Sequence, residues 1–289
     1  MNLCDMNTVK RILSKHGFTF SKALGQNFLI NPEVCPAMAQ SLNADDKTGV
    51  IEIGAGVGVL TKELCAVAHK VVCIELDTRL LPVLEETLAD CDNLEIVNAD
   101  VMKTDLHKLI SEKFSDCTCI KVCANLPYYI TSPVIMTLLE SELPIEEIIV
   151  MVQKEAGERL CAQVGTRQAG AVTVAVNYYA ESEILFDVFR DSFVPSPNVD
   201  SVVIRLRLRQ EQSLEIYNKK RFFSLVRGAF SQRRKTALNS ISNTLGIKKE
   251  RLADIFDTLK LEQNIRAEKL TMQNFADISN LIWRDSDEG

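Results

Sequence analysis

From residue 49 the chain alternates short apolar runs with stretches of helical periodicity, and few folds accept that rhythm. Val50–Ile53, Val71–Ile74, Leu94–Val97, Cys119–Ala124 and Ile148–Val152 have the length and apolar content of buried strands. Between them, Leu60, Leu64 and Val67 mark one helix, and Leu80, Leu81, Leu84 and Leu88 a second. A third is expected to open at Ser132, with Pro133 at its first position, and to run to Glu140. Parallel neighbours need a crossover connection, so this order predicts an α/β fold built on a mostly parallel, doubly wound sheet. After residue 180 two further runs, Glu183–Phe189 and Ser201–Leu208, predict an antiparallel addition at one edge. Ala171–Tyr179 fits helix or strand alike. From about residue 211 only helical patterning remains, so the expected division is an α/β domain over 1–210 and a small all-α domain over 211–289.

Bulk properties narrow the class. No run of about 18 apolar residues occurs, so no membrane span is expected. The opening MNLCDMNTVKRILSKHG has no apolar core of a secretory signal and reads as a polar lead into an amphipathic helix. Nine cysteines lie between Cys4 and Cys161 without a CxxC. Cys117 and Cys119 form the one close pair, and no histidine near them in sequence completes a metal set. Reduced, mostly buried thiols in a cytoplasmic protein are the expectation.

At the first strand-to-helix junction stands Glu52-Ile53-Gly54-Ala55-Gly56-Val57-Gly58. Glycines there permit a tight turn and a close ligand approach to free N–H donors at a helix start. A dinucleotide fingerprint would need glycine at position 59, where Val59 stands. Glu75 ends the second strand, where a carboxylate can accept both hydroxyls of a ribose, and Asp100 follows the third, placed for an exocyclic adenine amine. Successive strand ends thus outline an adenosine pocket. They do not by themselves separate S-adenosyl-L-methionine from NAD.

The fourth strand runs into ANLPYYITSP, Ala124 to Pro133. A plain turn has no use for two adjacent tyrosines. The amide oxygen of Asn125 and the main-chain carbonyl next to Pro127 are both acceptors, and an exocyclic amine offers two N–H donors. Two such acceptors favour a pyramidal nitrogen whose lone pair is localised. Tyr128 offers a face on which an everted base can stack.

These segments, with GQNFL (Gly25 to Leu29), IEIGAGVGVLT (Ile51 to Thr61) and FVPSPNVDS (Phe193 to Ser201), resemble the rRNA adenine N6-dimethyltransferases, most of all the bacterial small-subunit type. The likeness runs from about Val9 to the last helices. It implies a class I S-adenosyl-L-methionine-dependent methyltransferase fold, Rossmann-like, with a helical C-terminal domain. It also implies dimethylation of two adjacent adenosines in a hairpin loop near the 3′ end of small-subunit rRNA. Carried over by position, Asn27 and Leu29 border the cofactor, and Gly54, Gly56 and Gly58 cradle its methionine part. Glu75 takes the ribose, and Asp100 with Val101 meets the adenine. Asn125 serves cofactor and target amine, beside Pro127 and Tyr128, and Phe193 closes on the other face of the base. The family's Gly-Asp-Ala around the third acid is Asn98-Ala99-Asp100-Val101 here, and its loop proline is Ala55. The expected partner is small-subunit rRNA in an immature 30S particle, with no metal and with the protein a monomer. Rival readings are a large-subunit methyltransferase of the macrolide-resistance type, a non-catalytic assembly factor and an NAD-dependent oxidoreductase. Gly25 and Leu126 favour the small-subunit type over the first.

Charge is unevenly spread. Ten basic residues between Arg205 and Lys235 face two acids, Glu211 and Glu215, so that stretch carries +8 and the remainder −14 of a total of −6. Arg205, Arg207 and Arg209 alternate and would share a strand face, and Arg233, Arg234 and Lys235 form a cluster. Arg205, Arg207, Arg233, Arg234 and Lys235 are the expected phosphate contacts.

Overall fold

The computed structural model describes residues 1–18, 28–211 and 214–283. In chain order come helix α1 (Met6–Lys15), strand β1 (Phe28–Leu29), α2 (Val34–Ser41), β2 (Thr48–Ile53), α3 (Val59–Val67) and β3 (Lys70–Glu75). Then follow α4 (Leu81–Thr87), β4 (Leu94–Asn98), α5 (Leu106–Lys113), β5 (Cys119–Asn125), α6 (Tyr128–Glu140) and β6 (Glu147–Gln153). Next are α7 (Lys154–Leu160), α8 (Ala171–Tyr179), β7 (Ala180–Val188), β8 (Phe193–Val194) and β9 (Ser201–Leu208). Helices α9 (Lys219–Phe230), α10 (Ala237–Leu245), α11 (Lys249–Thr258) and α12 (Met272–Trp283) end the described chain. No helix among the described residues is long and apolar enough to cross a membrane.

Seven strands form one sheet in the order β4-β3-β2-β5-β6-β9-β7. From β4 to β6 every neighbour is parallel, and β9 runs antiparallel to β6. The expected edge addition is therefore present. β2, the middle one of the five parallel strands, is buried along its whole length because helices cover both sheet faces, and it carries Glu52 inward with Val50 and Ile51. A separate antiparallel pair joins β1 to β8 and sets Leu29 opposite Phe193. All nine cysteines are free thiols, with Cys35, Cys73 and Cys123 buried.

Two elements depart from the sequence reading. α6 opens at Tyr128, four residues before Ser132, and holds Pro133 in its interior. Pro127, the residue just before the helix, has φ −54° and ψ 133°, so the turn into the helix is made there. The Pro127 carbonyl then accepts from the Ile130 N–H and the Thr131 hydroxyl, both at 3.1 Å. One lost ladder bond at Pro133 is outweighed by burial of Val134, Ile135, Leu138 and Leu139. The ambiguous Ala171–Tyr179 is helix α8. Its β-branched residues lean towards strand, but Thr173 Oγ1 accepts from the Gly170 N–H at 2.9 Å and donates to the Arg159 carbonyl at 2.7 Å, closing the first turn.

The chain divides into two compact units. One comprises Met1–Gly157 with Ser182–Leu208, and the other Glu158–Glu181 with the chain from Arg209 onward. The second unit is held by an aromatic cluster in which the Tyr179 and Phe223 rings stack at 5.4 Å and Tyr178 meets Phe223 edge-on at 5.3 Å.

Candidate active site

A cavity of about 380 Å³ lies in the first unit, at the carboxyl ends of β2, β3 and β5 and just beyond β4. Gly54, Gly56 and Gly58 line or flank it. Gly54 has φ +78° and Gly56 φ +61°, the left-handed region that side chains resist. A β-carbon at Gly54 would sit 3.2 Å from the Leu126 side chain, so glycine there lets the loop close on the β5–α6 corner. At Gly56 a β-carbon would meet nothing within 4 Å, which leaves room for a ligand against the backbone.

Glu75 closes β3 and is buried. Its Oε2 accepts from the Gly56 N–H at 2.9 Å and its Oε1 from the Asp77 N–H at 2.8 Å, so it pins the glycine loop. Burial pushes its carboxyl above the ordinary value, and the two backbone N–H groups oppose that. Each oxygen keeps a lone pair for a ligand hydroxyl. The Asn98 amide donates to the Glu75 carbonyl at 2.8 Å and to the Leu76 carbonyl at 3.3 Å. It thereby fixes the turn that presents Glu75, so a side chain at this position has a local use. Half-buried Asp100 accepts from the Met102 N–H at 3.0 Å and has Lys103 3.4 Å away. Asp100 and Val101 both line the cavity.

Asn125 ends β5 at the cavity wall, and its side chain makes no hydrogen bond among the described residues. The carbonyl of Pro127 itself is taken by the first turn of α6. The carbonyl next to the proline, that of Leu126, lies outside both the strand and the helix and accepts no hydrogen bond among the described residues. What Pro127 contributes is the corner geometry. The Tyr128 ring lines the cavity with its hydroxyl 2.7 Å from Ser201 Oγ on β9, which fixes the ring plane. Burial raises the Tyr128 hydroxyl above its ordinary value, against the Ser201 hydrogen bond. Phe193 is 4% exposed, packed among Leu29, Cys35 and Val188, and yet lines the cavity. Leu29 lines it too, whereas Asn27 lies outside the described residues.

Two cavity groups, Glu52 and Leu76, were given no role by the sequence. Glu52, 1% exposed, reaches the cavity with Oε2 unpaired, and burial pushes its carboxyl up to about 8. The sequence placed Glu52 at the head of the glycine loop but gave no sign that its carboxyl is buried there, since the helices that cover the strand are set by the tertiary fold. Leu76 also lines the wall, exposed, where the sequence offered apolarity without position, and Tyr129, the second ring of the tyrosine pair, lines it exposed as well.

The basic residues split. Arg205 is 8% exposed. Its guanidinium faces Glu147 at 3.2 Å and Glu183 at 2.8 Å and donates to the Ser41 carbonyl, so it is no phosphate contact. Arg207 is exposed but 3.6 Å from the same Glu183. Arg233, Arg234 and Lys235 lie exposed in the turn between α9 and α10 of the second unit, with no ion pair among the described residues. Away from the cavity the fold brings His69 Nε2 within 3.1 Å of Asp116 Oδ2, with Cys117 adjacent. The His69 hydrogen bond lowers the Asp116 carboxyl, and the Lys70 charge adds to that, which reads as a surface ion pair.

A family model described as ribosomal RNA adenine dimethylase matches residues 17–284. A ribosomal RNA small subunit methyltransferase A of Geobacillus sp. (strain WCH70) is 45% identical over 276 residues, covering 94% of this chain and 95% of that relative. A dimethyladenosine transferase from Plasmodium falciparum superposes with a TM-score of 0.72 at 27% identity, covering 89% of this chain and 97% of the other. A 23S rRNA methyltransferase, ErmE, gives 0.66 at 26% identity, covering 88% and 99%.

Proposed function

We propose a function from a plain premise: the chain belongs to the ribosomal RNA adenine dimethylase family. It is a class I methyltransferase that uses S-adenosyl-L-methionine to dimethylate adenosine N6 in small-subunit rRNA. The target is two adjacent adenosines in the 3′-terminal hairpin loop. The 45% identity to a small-subunit enzyme, against 26% to a 23S enzyme, favours this over the large-subunit alternative.

The observation that carries the reading is one cavity shared by the glycine loop, Glu75, Asp100, Asn125, Tyr128 and Phe193. Its residues fit the cofactor. Gly56 leaves open space against the backbone, and Glu52 and Glu75 offer carboxyl oxygens where ammonium and ribose groups need acceptors. The cofactor supplies a methyl group on a sulfonium. Asp100 and Val101 would take its adenine edge and face, and Leu29 would border it. The Asn125 amide oxygen and the Leu126 carbonyl accept the two N–H groups of the target amine. That draws the nitrogen lone pair out of conjugation. Tyr128, held by Ser201, and Phe193 take the two faces of the base. Positioning and exclusion of water supply most of the acceleration. Among the described residues no histidine lines the cavity, and the proton can leave to water once the amine is cationic.

Arg233, Arg234 and Lys235, with Arg207 in a lesser role, would contact RNA phosphates as part of a helical RNA-binding domain beyond residue 210. We place the activity in the cytoplasm, on an immature 30S particle, with a monomeric protein that needs no metal.

The test is incubation with labelled S-adenosyl-L-methionine and unmethylated small subunits, with primer extension to map the product. Two adjacent stops in the 3′ hairpin are expected. Label confined to large-subunit RNA, or none, would refute the reading.

A further inference from the structure

Tyr129 is the residue of the Asn-Leu-Pro-Tyr-Tyr corner that the reaction has not used. It is 63% exposed, lines the cavity, and makes no hydrogen bond or ring contact among the described residues. Single exposed apolar residues are ordinary on a protein surface. Phe189, 61% exposed and absent from the cavity wall, is such a case on the same unit. Position is what separates the two rings.

Tyr128 and Tyr129 are consecutive in the first turn of α6. Neighbours on a helix point about 100° apart, so the two rings cannot flank the same flat ligand. Tyr128 is tied to Ser201 and faces inward. Tyr129 carries the aromatic surface on to the cavity mouth, where the strand feeding the everted base must pass. A base drawn from a stack leaves its neighbour with one face bare to water, and a ring at the mouth can cover that face.

We infer that Tyr129 is a substrate-positioning residue that stacks on the adenine adjacent to the one being methylated. This rests on the function proposed above. Tyr129 would thus hold the second adenosine of the pair near the cavity while the first is modified. The ring is the working part, since its hydroxyl has no described partner.

The test compares Tyr129→Ala, Tyr129→Phe, Tyr129→Trp and Phe189→Ala with wild type, using unmethylated small subunits as substrate. Thermal melting of each variant checks folding. Tyr129→Ala is expected to raise KM for subunits by about 5- to 100-fold, the worth of one lost base–aromatic stack. The Kd for S-adenosyl-L-methionine and kcat should stay within about 2-fold, and Phe and Trp should restore KM. Phe189→Ala should leave KM at the wild-type value. An unchanged KM in Tyr129→Ala overturns the inference and leaves the proposed function standing. An equal rise in Phe189→Ala, or a Phe variant as impaired as Ala, also overturns it. If wild type transfers no methyl group to subunits, the proposed function fails first and this inference with it.

Discussion

Glu52 gives the prediction with the most direct physical basis. It sits in β2, 1% exposed, and burial pushes its carboxyl from the ordinary 4.5 up to about 8. Below 4.5 the group is protonated whether the chain is folded or not. Between 4.5 and about 8 the unfolded chain releases this proton while the folded chain keeps it, so folding stability falls as pH rises through that window. Above about 8 both states are ionised and the loss levels off. At about 1.36 kcal/mol per unit, the full span is worth roughly 5 kcal/mol. Glu52→Gln keeps the shape and cannot ionise, so it lacks this slope. Between about pH 5.5 and 7.5, wild type should lose roughly 3 kcal/mol relative to the variant. For a unit of this size that is a difference of roughly 5–10 °C in Tm. Calorimetric melting of both proteins at the two pH values reads it, because titrating groups that do not interact with Glu52 cancel in the comparison, and the neighbouring Glu75 is the one carboxyl that couples to it. Parallel pH profiles would show that Glu52 is charged in the folded protein, and the account of its burial would be wrong.

Asn125→Ala should lower kcat about 100- to 1000-fold, the usual cost of one preorganised acceptor or donor, with S-adenosyl-L-methionine still bound in calorimetry. Arg205→Met should destabilise the first unit by about 3 kcal/mol, since Glu183 and the buried Glu147 each lose a partner while Lys121 remains 3.0 Å from Glu147. Its KM for subunits should not change, and a selective rise in KM would restore Arg205 to the RNA interface. Changing Arg233, Arg234 and Lys235 together to Ala should weaken subunit binding and flatten its dependence on log salt by up to about 2–3, measured by filter binding from low to moderate salt.

Much of the fold is written in local periods. The alternation from Val50 to Val152 emerged as β2 to β6 with helices between, because a strand or an amphipathic helix needs only the spacing of its own apolar residues. The site's outline was legible for the same reason: the glycine loop, Glu75, Asp100 and Asn125 each follow a strand, and strand ends of a parallel sheet share one edge. What neighbours decide was not legible. Arg205 belongs to a basic run in the sequence, but the register of β9 on β6 and the acids at 147 and 183 bury and neutralise it. Pro133 announced a helix start, yet the backbone at Pro127 had already turned the chain.

By itself, then, the sequence determined the element order, the parallel sheet and the family, since these depend on residue type and spacing along one chain. Tertiary structure alone decided which carboxyl is buried unpaired, which arginine is spent on acids, which carbonyl stays open and which tyrosine meets solvent. Burial and partnership are set by groups distant along the chain, and those groups change the cost of a charge, a hydrogen bond or an exposed ring.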